Sequence, residues 1–566
     1  MKLALAQLNP IIGDLDGNAE KIFEVCKEIK DKEVDLVITP ELSLIGYPPK
    51  DLLFNPRLYE DEKDVLNKLS ERVSNLSQNL SILIGIAEPT QEIEVPKLYN
   101  SVVILEKGAW RIVARKQLLP TYDVFDEKRY FRSAEKSSVL NFNYQEKLCK
   151  IGITICEDIW VDQKLQKKKS LGKDPIISLE KEKLDLLINL SASPFIESKN
   201  LLRQRIAAKA AIRLSCPVVY VNQVGGNDEL IFDGSSFALN KKGKLQHELP
   251  AFKESVGLFD ISSLKQQSSI SSKYPISQEV LFRALVLGVK DYARKCNFNS
   301  AVVGLSGGID SALVALIAVA ALGNSKVHAI LMPSPWSSAG SVKDATTLAN
   351  RLGINHQKIP ISNVMNSFND VLSSSTGGIP TDITAENLQS RIRGTILMAL
   401  ANQKNHLLLS TGNKSELAVG YCTLYGDMNG GLSVIGDLYK TSVFDLCNWI
   451  DSESSSSCRN DFFLPETREI IGSEIRNKPP SAELRPEQLD SDSLPDYFIL
   501  DPILKGLIEQ HLPTKVLIEK GFDEKIVHKV ANLLKNAEFK RYQAPPLLKI
   551  SNQAFGSGWK KPIASR

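Results

Sequence analysis

Three residues that can do chemistry each stand at the end of a strand-like run. Cys156 closes IGITI, Glu41 follows VDLVITP, and Lys116 falls in ARKQLLP. A thiol, a carboxylate and an ammonium are the groups that amide hydrolysis requires. The thiol must lose its proton to attack; a neighbouring ammonium eases that loss and a carboxylate takes the proton. The same ammonium can steady the tetrahedral oxyanion, and the thioester then falls to water. Glu157 follows the thiol directly and is read as shaping its surroundings. Glu127, in VFDEKR, has two open readings: an accessory acid, or an ion-pair partner of Lys128 or Arg129.

A second constellation lies in VVGLSGGIDSALVALIAVAALG, residues 302 to 323. Gly304, Leu305, Ser306, Gly307, Gly308, Ile309, Asp310 and Ser311 join a strand-like run to an alanine-rich helical one. Glycines let backbone N–H groups curl around phosphate oxygens, and a helix N-terminus adds favourable partial charge. Ser306 and Ser311 offer hydroxyls, and Asp310 could hold Mg²⁺ beside the phosphates. The lysine that follows a transferred γ-phosphoryl group in a Walker loop is absent. The chain also has no G-x-G-x-x-G, so no redox dinucleotide cofactor is expected.

LALAQL, DLVITP, SILIGIAEP, SVVILEKG, CKIGITICED, DLLINLSASP and VVYVNQVGG read as buried strands that position these residues. NAEKIFEVCKEIK and NLLRQRIAAKAAIRLS between them read as helices. This predicts an α/β domain over residues 1–264 and a polar, serine-rich linker over 265–275. A second α/β domain, 276–566, has strands AVVGLS, VHAILMP and HLLLSTG separated by helices, the pattern of a parallel sheet. The lysine-rich piece 163–183 and DSESSSSCRND (451–461) read as exposed loops.

At 566 residues the chain is too long for one ordinary core. A net charge of +3 gives no electrostatic case for nucleic acid, and no run of about 18 apolar residues predicts a membrane span. The N-terminus has no basic region followed by an apolar block, so no secretory leader is expected. Eight cysteines without a C-x-x-C pair fit a reducing, cytoplasmic setting better than disulfides or structural zinc.

PELSLIGYPPKDLL, the K-x-x-L-P followed by YDVFDEKRYF, and ICEDIW followed by NLSASPF closely resemble the motifs of the nitrilase, or carbon–nitrogen hydrolase, superfamily. The resemblance covers the whole first domain and implies an αββα sandwich, with Glu41 as general base, Lys116 as oxyanion-stabilising lysine and Cys156 as nucleophile. By likeness to its glutaminase members, Tyr122, Ser193 and Lys199 would bind glutamine. The SGGIDS loop resembles the pyrophosphate loop of the ATP-pyrophosphatase family, which adenylates a substrate and releases pyrophosphate.

Downstream, HAILMPSPWSSAGSVKDA, ITAENLQSRIRGTILMALAN, STGNKSELAVGYCTLYGDMNGG, VIGDLYKTSVFDL and EFKRYQAPP resemble the NAD synthetases, and the fusion resembles their glutamine-dependent branch. The implied second domain is Rossmann-like. The implied reaction is amidation of deamido-NAD with ammonia from glutamine, with ATP as co-substrate and Mg²⁺ at Asp310 and Glu416. Thr411 and Lys440 would join the ATP site; Asn387, Arg393, Glu416 and Lys540 would face deamido-NAD. The chain departs from ammonia-dependent members at Leu424 and Gly431, where those carry a lysine and an aspartate. The resemblance also implies small-molecule substrates only and a homo-oligomer. A different amide acceptor, a non-catalytic nucleotide sensor and a stand-alone amidase are the competing readings. The presence together of Glu41, Lys116, Cys156, Asp310 and Glu416 argues against the sensor, and SGGIDS with Thr411 and Glu416 against the amidase.

Overall fold

The computed structural model describes residues 1–90, 98–144, 147–162, 172–265, 269–272 and 274–564. It divides into two compact units, Met1–Pro275 and Ile276–Arg566. The expected linker, 265–275, falls inside the first unit, and its residues 266–268 and 273 lie outside the described ones.

The first unit stacks two six-stranded sheets. One runs in the order Ser255–Asp260, Lys2–Gln7, Leu36–Ile38, Ser81–Pro89, Leu98–Glu106, Ala109–Arg115. The other runs Leu245–Glu248, Phe237–Leu239, Val218–Asn222, Leu186–Ser191, Lys147–Ile155, Ser138–Tyr144. Each sheet has parallel strands inside it, Lys2–Gln7 beside Leu36–Ile38 ahead of Glu41 and Lys147–Ile155 beside Leu186–Ser191 ahead of Cys156, whereas Ala109–Arg115, which leads to Lys116, pairs antiparallel.

Alternation of side chains along each strand decides what meets what. Leu3, Leu5, Leu36 and Ile38 point between the sheets and pack with Ile151, Ile153, Leu186 and Ile188. Ala4, Ala6 and Val37 point outward, where Ile22, Val25, Leu66 and Leu69 of helices Leu15–Ile29 and Arg57–Leu76 cover them. On the opposite face Leu187, Val218 and Tyr220 meet Ile206, Ala207 and Ala210 of helix Lys199–Leu214. Three apolar layers between four layers of structure make the αββα sandwich, each buried aliphatic side chain contributing roughly 1.5–3 kcal/mol.

The second unit holds a fully parallel five-stranded sheet: Asn355–Lys358, Val327–Leu331, Ala301–Gly304, Leu407–Ser410, Leu432–Ser433. Chain order therefore reverses between Ala301–Gly304 and Leu407–Ser410, and a crevice opens at the C-terminal ends of strands at such a switch point. Helix Ile309–Leu322 follows the central strand and is apolar on almost every face because helices Ser277–Lys295 and Lys440–Ile450 both pack on it. Helices Tyr497–Ile508 and Glu524–Asn536 close a further core around Leu417, Leu500, Ile503 and Val527.

Two loop expectations give way. Within 163–183, residues 163–171 lie outside the described ones, but Pro175–Leu179 is helical because Ile176 and Leu179 are buried against the sheet. In 451–461, Ser456–Asp461 is helical, with Cys458 buried, and the Asp451 carboxylate accepts bonds from the N–H groups of Ile470, Ile471 and Gly472.

Candidate functional site

In the first unit the three strand ends converge. Lys116 Nζ lies 2.7 Å from Glu41 Oε1, and both side chains are wholly shielded from solvent. Asn100 Nδ2 donates to Glu41 Oε1 at 2.8 Å, and the Ala192 N–H donates to Glu41 Oε2 at 2.9 Å. Glu41 can sit so deep because Gly85 lies beneath its turn: a Cβ there would come within 2.2 Å of the Leu42 nitrogen. Lys116 also donates to Glu127 Oε1 at 2.8 Å, and Tyr47 Oη donates to the same oxygen at 2.8 Å. Glu127 thus belongs to the buried cluster, and the ion pair with Lys128 or Arg129 is not formed.

Cys156 opens a one-turn 3₁₀ segment, Cys156–Ile159, with a left-handed φ of 44°. That conformation costs a non-glycine residue of order 1–3 kcal/mol and turns the side chain off the strand line. The Asp158 carboxylate holds the turn. It accepts from Ile155 N at 3.0 Å, and from Gln117 N and Leu118 N at 3.0 and 2.8 Å, so one side chain fixes the thiol turn against the backbone next to Lys116.

Burial, and next Glu41, push the Cys156 thiol well above its usual value; Lys116 pulls it back only in part. Burial alone would lower the Lys116 ammonium, but Glu127 and Glu41 outweigh it and hold the group protonated. Burial likewise raises the Glu127 carboxyl above the usual carboxylate range, against the pull of Lys116. The cluster therefore sets a neutral thiol near a protonated ammonium that the Glu41 and Glu127 side chains hold in place.

The residues expected around a substrate are placed as follows. Tyr122 Oη donates to Glu157 Oε1 at 2.8 Å, beside the thiol. Ser193 follows the Ala192 amide that holds Glu41, and its backbone N–H donates to Asn222 Oδ1 at 2.9 Å. Arg203 grips it by a bond from Nε to Ser193 Oγ at 3.2 Å while pairing with both oxygens of buried Asp233. Lys199, the first residue of helix Lys199–Leu214, lies over the Trp160 ring at 5.7 Å.

In the second unit a cavity of about 310 Å³ opens at the switch point. Gly304, Leu305, Ser306, Gly308, Ile309, Asp310 and Ser311 line it; Gly307 instead packs its backbone against Ser341, with φ 84°. Ser311 Oγ donates to Gly308 O at 3.0 Å and lies 3.1 Å from Ser306 Oγ, which accepts from Gly308 N. Thr411, Glu416, Arg393 and Lys440 also reach the wall. Lys440 pairs with Asp310 Oδ2, and Asn413 Nδ2 donates to Asp310 Oδ1 at 3.0 Å. Asn413 and Glu416 cap each other at the start of helix Lys414–Val419. Burial, and next Asp310, push the Glu416 carboxyl above its usual range, with Lys440 opposing. Asp310 and Glu416 thus face the cavity beside the Lys440 ammonium, which is engaged by Asp310.

Besides Gly307, two expected residues stand outside that lining. Lys540 Nζ donates to Gly420 O and Cys422 O, both at 2.7 Å, and Asn387 Oδ1 accepts from Thr423 Oγ1 at 2.8 Å. Both brace the 420–423 segment, whose Tyr421 and Cys422 do reach the wall. At the divergent positions, Leu424 O accepts from Arg391 Nε, and the Gly431 N–H extends the sheet edge to Leu408 O.

Sequence reasoning missed Tyr47, Asn100, Arg203 and Lys478. Asn413 was legible in principle, since N-x-x-E ahead of an apolar run is a capping signature; Lys478 carries no local signal.

Comparison with known proteins gives two family matches: a carbon–nitrogen hydrolase model over residues 2–268 and an NAD synthase model over 281–544. A glutamine-dependent NAD(+) synthetase of Synechocystis sp. is 48% identical, over 99% of this chain and 98% of its own. One from Thermotoga maritima is 38% identical, over 100% and 99%. Among solved structures, the glutamine-dependent NAD⁺ synthetase of Acinetobacter baumannii in complex with ADP matches with a TM-score of 0.74. It is 37% identical and covers 99% of this chain and 98% of its own.

Proposed function

The chain belongs to the glutamine-dependent NAD(+) synthetases, and from this and the two sites we propose how their residues divide the reaction. The first unit hydrolyses glutamine to glutamate and ammonia; the second uses ATP to amidate deamido-NAD, releasing AMP and pyrophosphate. The observation that carries the assignment is the convergence of Glu41, Lys116 and Cys156 in one solvent-free cluster.

At that cluster Cys156 Sγ attacks the glutamine side-chain carbonyl as its proton passes to Glu41. A thiol pushed up by burial needs this base at the moment of attack, because no standing thiolate is available. The developing oxyanion faces the Lys116 ammonium, whose charge the two carboxylates maintain. Glu41 returns the proton to the leaving nitrogen, ammonia departs, and water, deprotonated by Glu41, cleaves the thioester. Tyr122, Ser193 and Lys199 orient the α-amino and α-carboxylate ends of glutamine.

At the second site the loop Gly304–Ser311 takes the β and γ phosphates of ATP, with Thr411 and Lys440 beside them. The nicotinate carboxylate of deamido-NAD attacks the α-phosphorus, forming an acyl adenylate and expelling pyrophosphate. Ammonia then displaces AMP. Arg393 and Glu416 contact deamido-NAD; Lys540 and Asn387 serve it by bracing the 420–423 segment. Asp310 and Glu416 would hold Mg²⁺, which takes one or two carboxylates and completes its shell with water and substrate phosphates. The raised Glu416 carboxyl fits a pair that a cation relieves. When bound, the ion neutralises charge on the phosphates.

Homo-oligomerisation belongs to the same proposal, supported by the exposed apolar side chains of Val371, Ile379 and Ile383. A cytoplasmic location is supported by eight cysteines that form no disulfide among the described residues. Among the described residues, no helix is long and apolar enough to cross a membrane. The test of function is an assay with glutamine, ATP, Mg²⁺ and deamido-NAD: NAD, AMP, pyrophosphate and glutamate should appear together. ATP–pyrophosphate exchange that requires some other acceptor would overturn it.

A further inference from the structure

The SGGIDS loop lacks a cation of its own, and the fold brings one to it from 171 residues away. Lys478 Nζ donates to Gly307 O at 3.1 Å and to Ser341 Oγ at 3.2 Å, and lies 2.5 Å from Asp344 Oδ2. The side chain reaches the cavity wall, as does the whole run Lys478–Leu484, stiffened by Pro479 and Pro480. That run is anchored at its far end by Glu483, whose Oε1 accepts from Ser341 Oγ at 2.6 Å.

The bond to Gly307 O has a directional consequence. In a trans peptide the carbonyl and the next N–H point opposite ways. Drawing the Gly307 carbonyl toward Lys478 therefore turns the Gly308 N–H inward, where it meets Ser306 Oγ. A phosphate loop needs this orientation, because an inward carbonyl would repel the anion. Lys440 lines the same cavity and is engaged by Asp310, as Lys478 is by Asp344.

We propose that Lys478 is a phosphate-binding residue of the adenylation step, orienting the Gly307–Gly308 peptide and meeting the charge of the departing pyrophosphate. The inference rests on the reading of this cavity as the ATP site. Its alternative is a structural tether in which Lys478 matters only through Asp344.

The test uses ammonia-supported synthesis in the full-length chain, so that glutamine chemistry does not enter. ATP KM, kcat and product inhibition by pyrophosphate are compared for Lys478→Gln, Lys478→Arg and Asp344→Asn. Lys478→Gln should raise both the ATP KM and the pyrophosphate inhibition constant about tenfold, equivalent to about 1.4 kcal/mol. Lys478→Arg should recover most of this, and Asp344→Asn should stay within about twofold of wild type. An Asp344→Asn variant that reproduces Lys478→Gln, or an unchanged pyrophosphate constant in Lys478→Gln, would overturn the proposal. A wild-type chain that forms no pyrophosphate from ATP would instead overturn the reading of the site.

Discussion

The Lys116 ammonium bridges Glu41 and Glu127, at 2.7 and 2.8 Å, inside a cluster that solvent does not reach. Burial alone would favour the neutral amine, and the Glu127 and Glu41 side chains outweigh that cost and keep the cation charged. Glu127 sets this balance without standing at a strand end. Glu127→Gln keeps the shape and removes one charge. It should lower glutamine hydrolysis about a hundredfold, within the range of a lost acid–base group. Ammonia-supported NAD formation should stay within about twofold. Steady-state rates with each nitrogen source check this, and an unchanged glutaminase rate would remove Glu127 from the mechanism.

Gly307 governs the second site through backbone alone. Its φ is 84°, and a Cβ there would lie 2.3 Å from the carbonyl oxygen of Ser341. Gly307→Ala must displace either the loop or the start of helix Ala339–Leu352. Pyrophosphate release should fall at least about a hundredfold while glutamine hydrolysis persists. Equal ATP use by variant and wild type would show that the loop does not hold the phosphates.

Glu62 predicts a pH effect on stability separate from both sites. It lies buried in helix Arg57–Leu76 with one bond from Ala87 N at 3.3 Å, and burial pushes its carboxyl from 4.5 up to about 8. An acid raised in the folded state stays protonated while the unfolded chain ionises. The fold therefore loses stability as pH rises from about 4.5 to about 8. Glu62→Gln should raise the melting temperature at pH 8 and leave it near wild type at pH 4. Parallel melting curves at every pH would contradict the buried, protonated state.

Much of the fold is written in local pattern. Alternation of Leu3 and Leu5 with Ala4 and Ala6 already separates the face between the sheets from the face under the helices. Cys156 and Glu41 were legible because each follows an apolar run, and Lys116 because it ends a strand-like segment, strand ends being where a sheet offers side chains to a ligand. Glu127 was ambiguous because the competing partners Lys128 and Arg129 adjoin it, whereas Lys116 reaches it only when a strand end folds back. Lys478 was invisible, since nothing in NKPPSAEL shows that the run will lie on a loop far upstream. Lys540 was assigned toward a ligand, and the structure commits two of its donors to backbone carbonyls, a use of lysine that charge alone does not reveal.

The central claim is that ammonia is made at Cys156 and consumed at a separate site. Cys156→Ala in the full-length chain tests it most directly, with NAD formation measured on glutamine and, in parallel, on ammonium salt. Glutamine-supported synthesis should disappear while ammonia-supported synthesis stays within about twofold of wild type. Retention of glutamine use, or loss of both activities in a variant that still melts cooperatively, would contradict this division of labour.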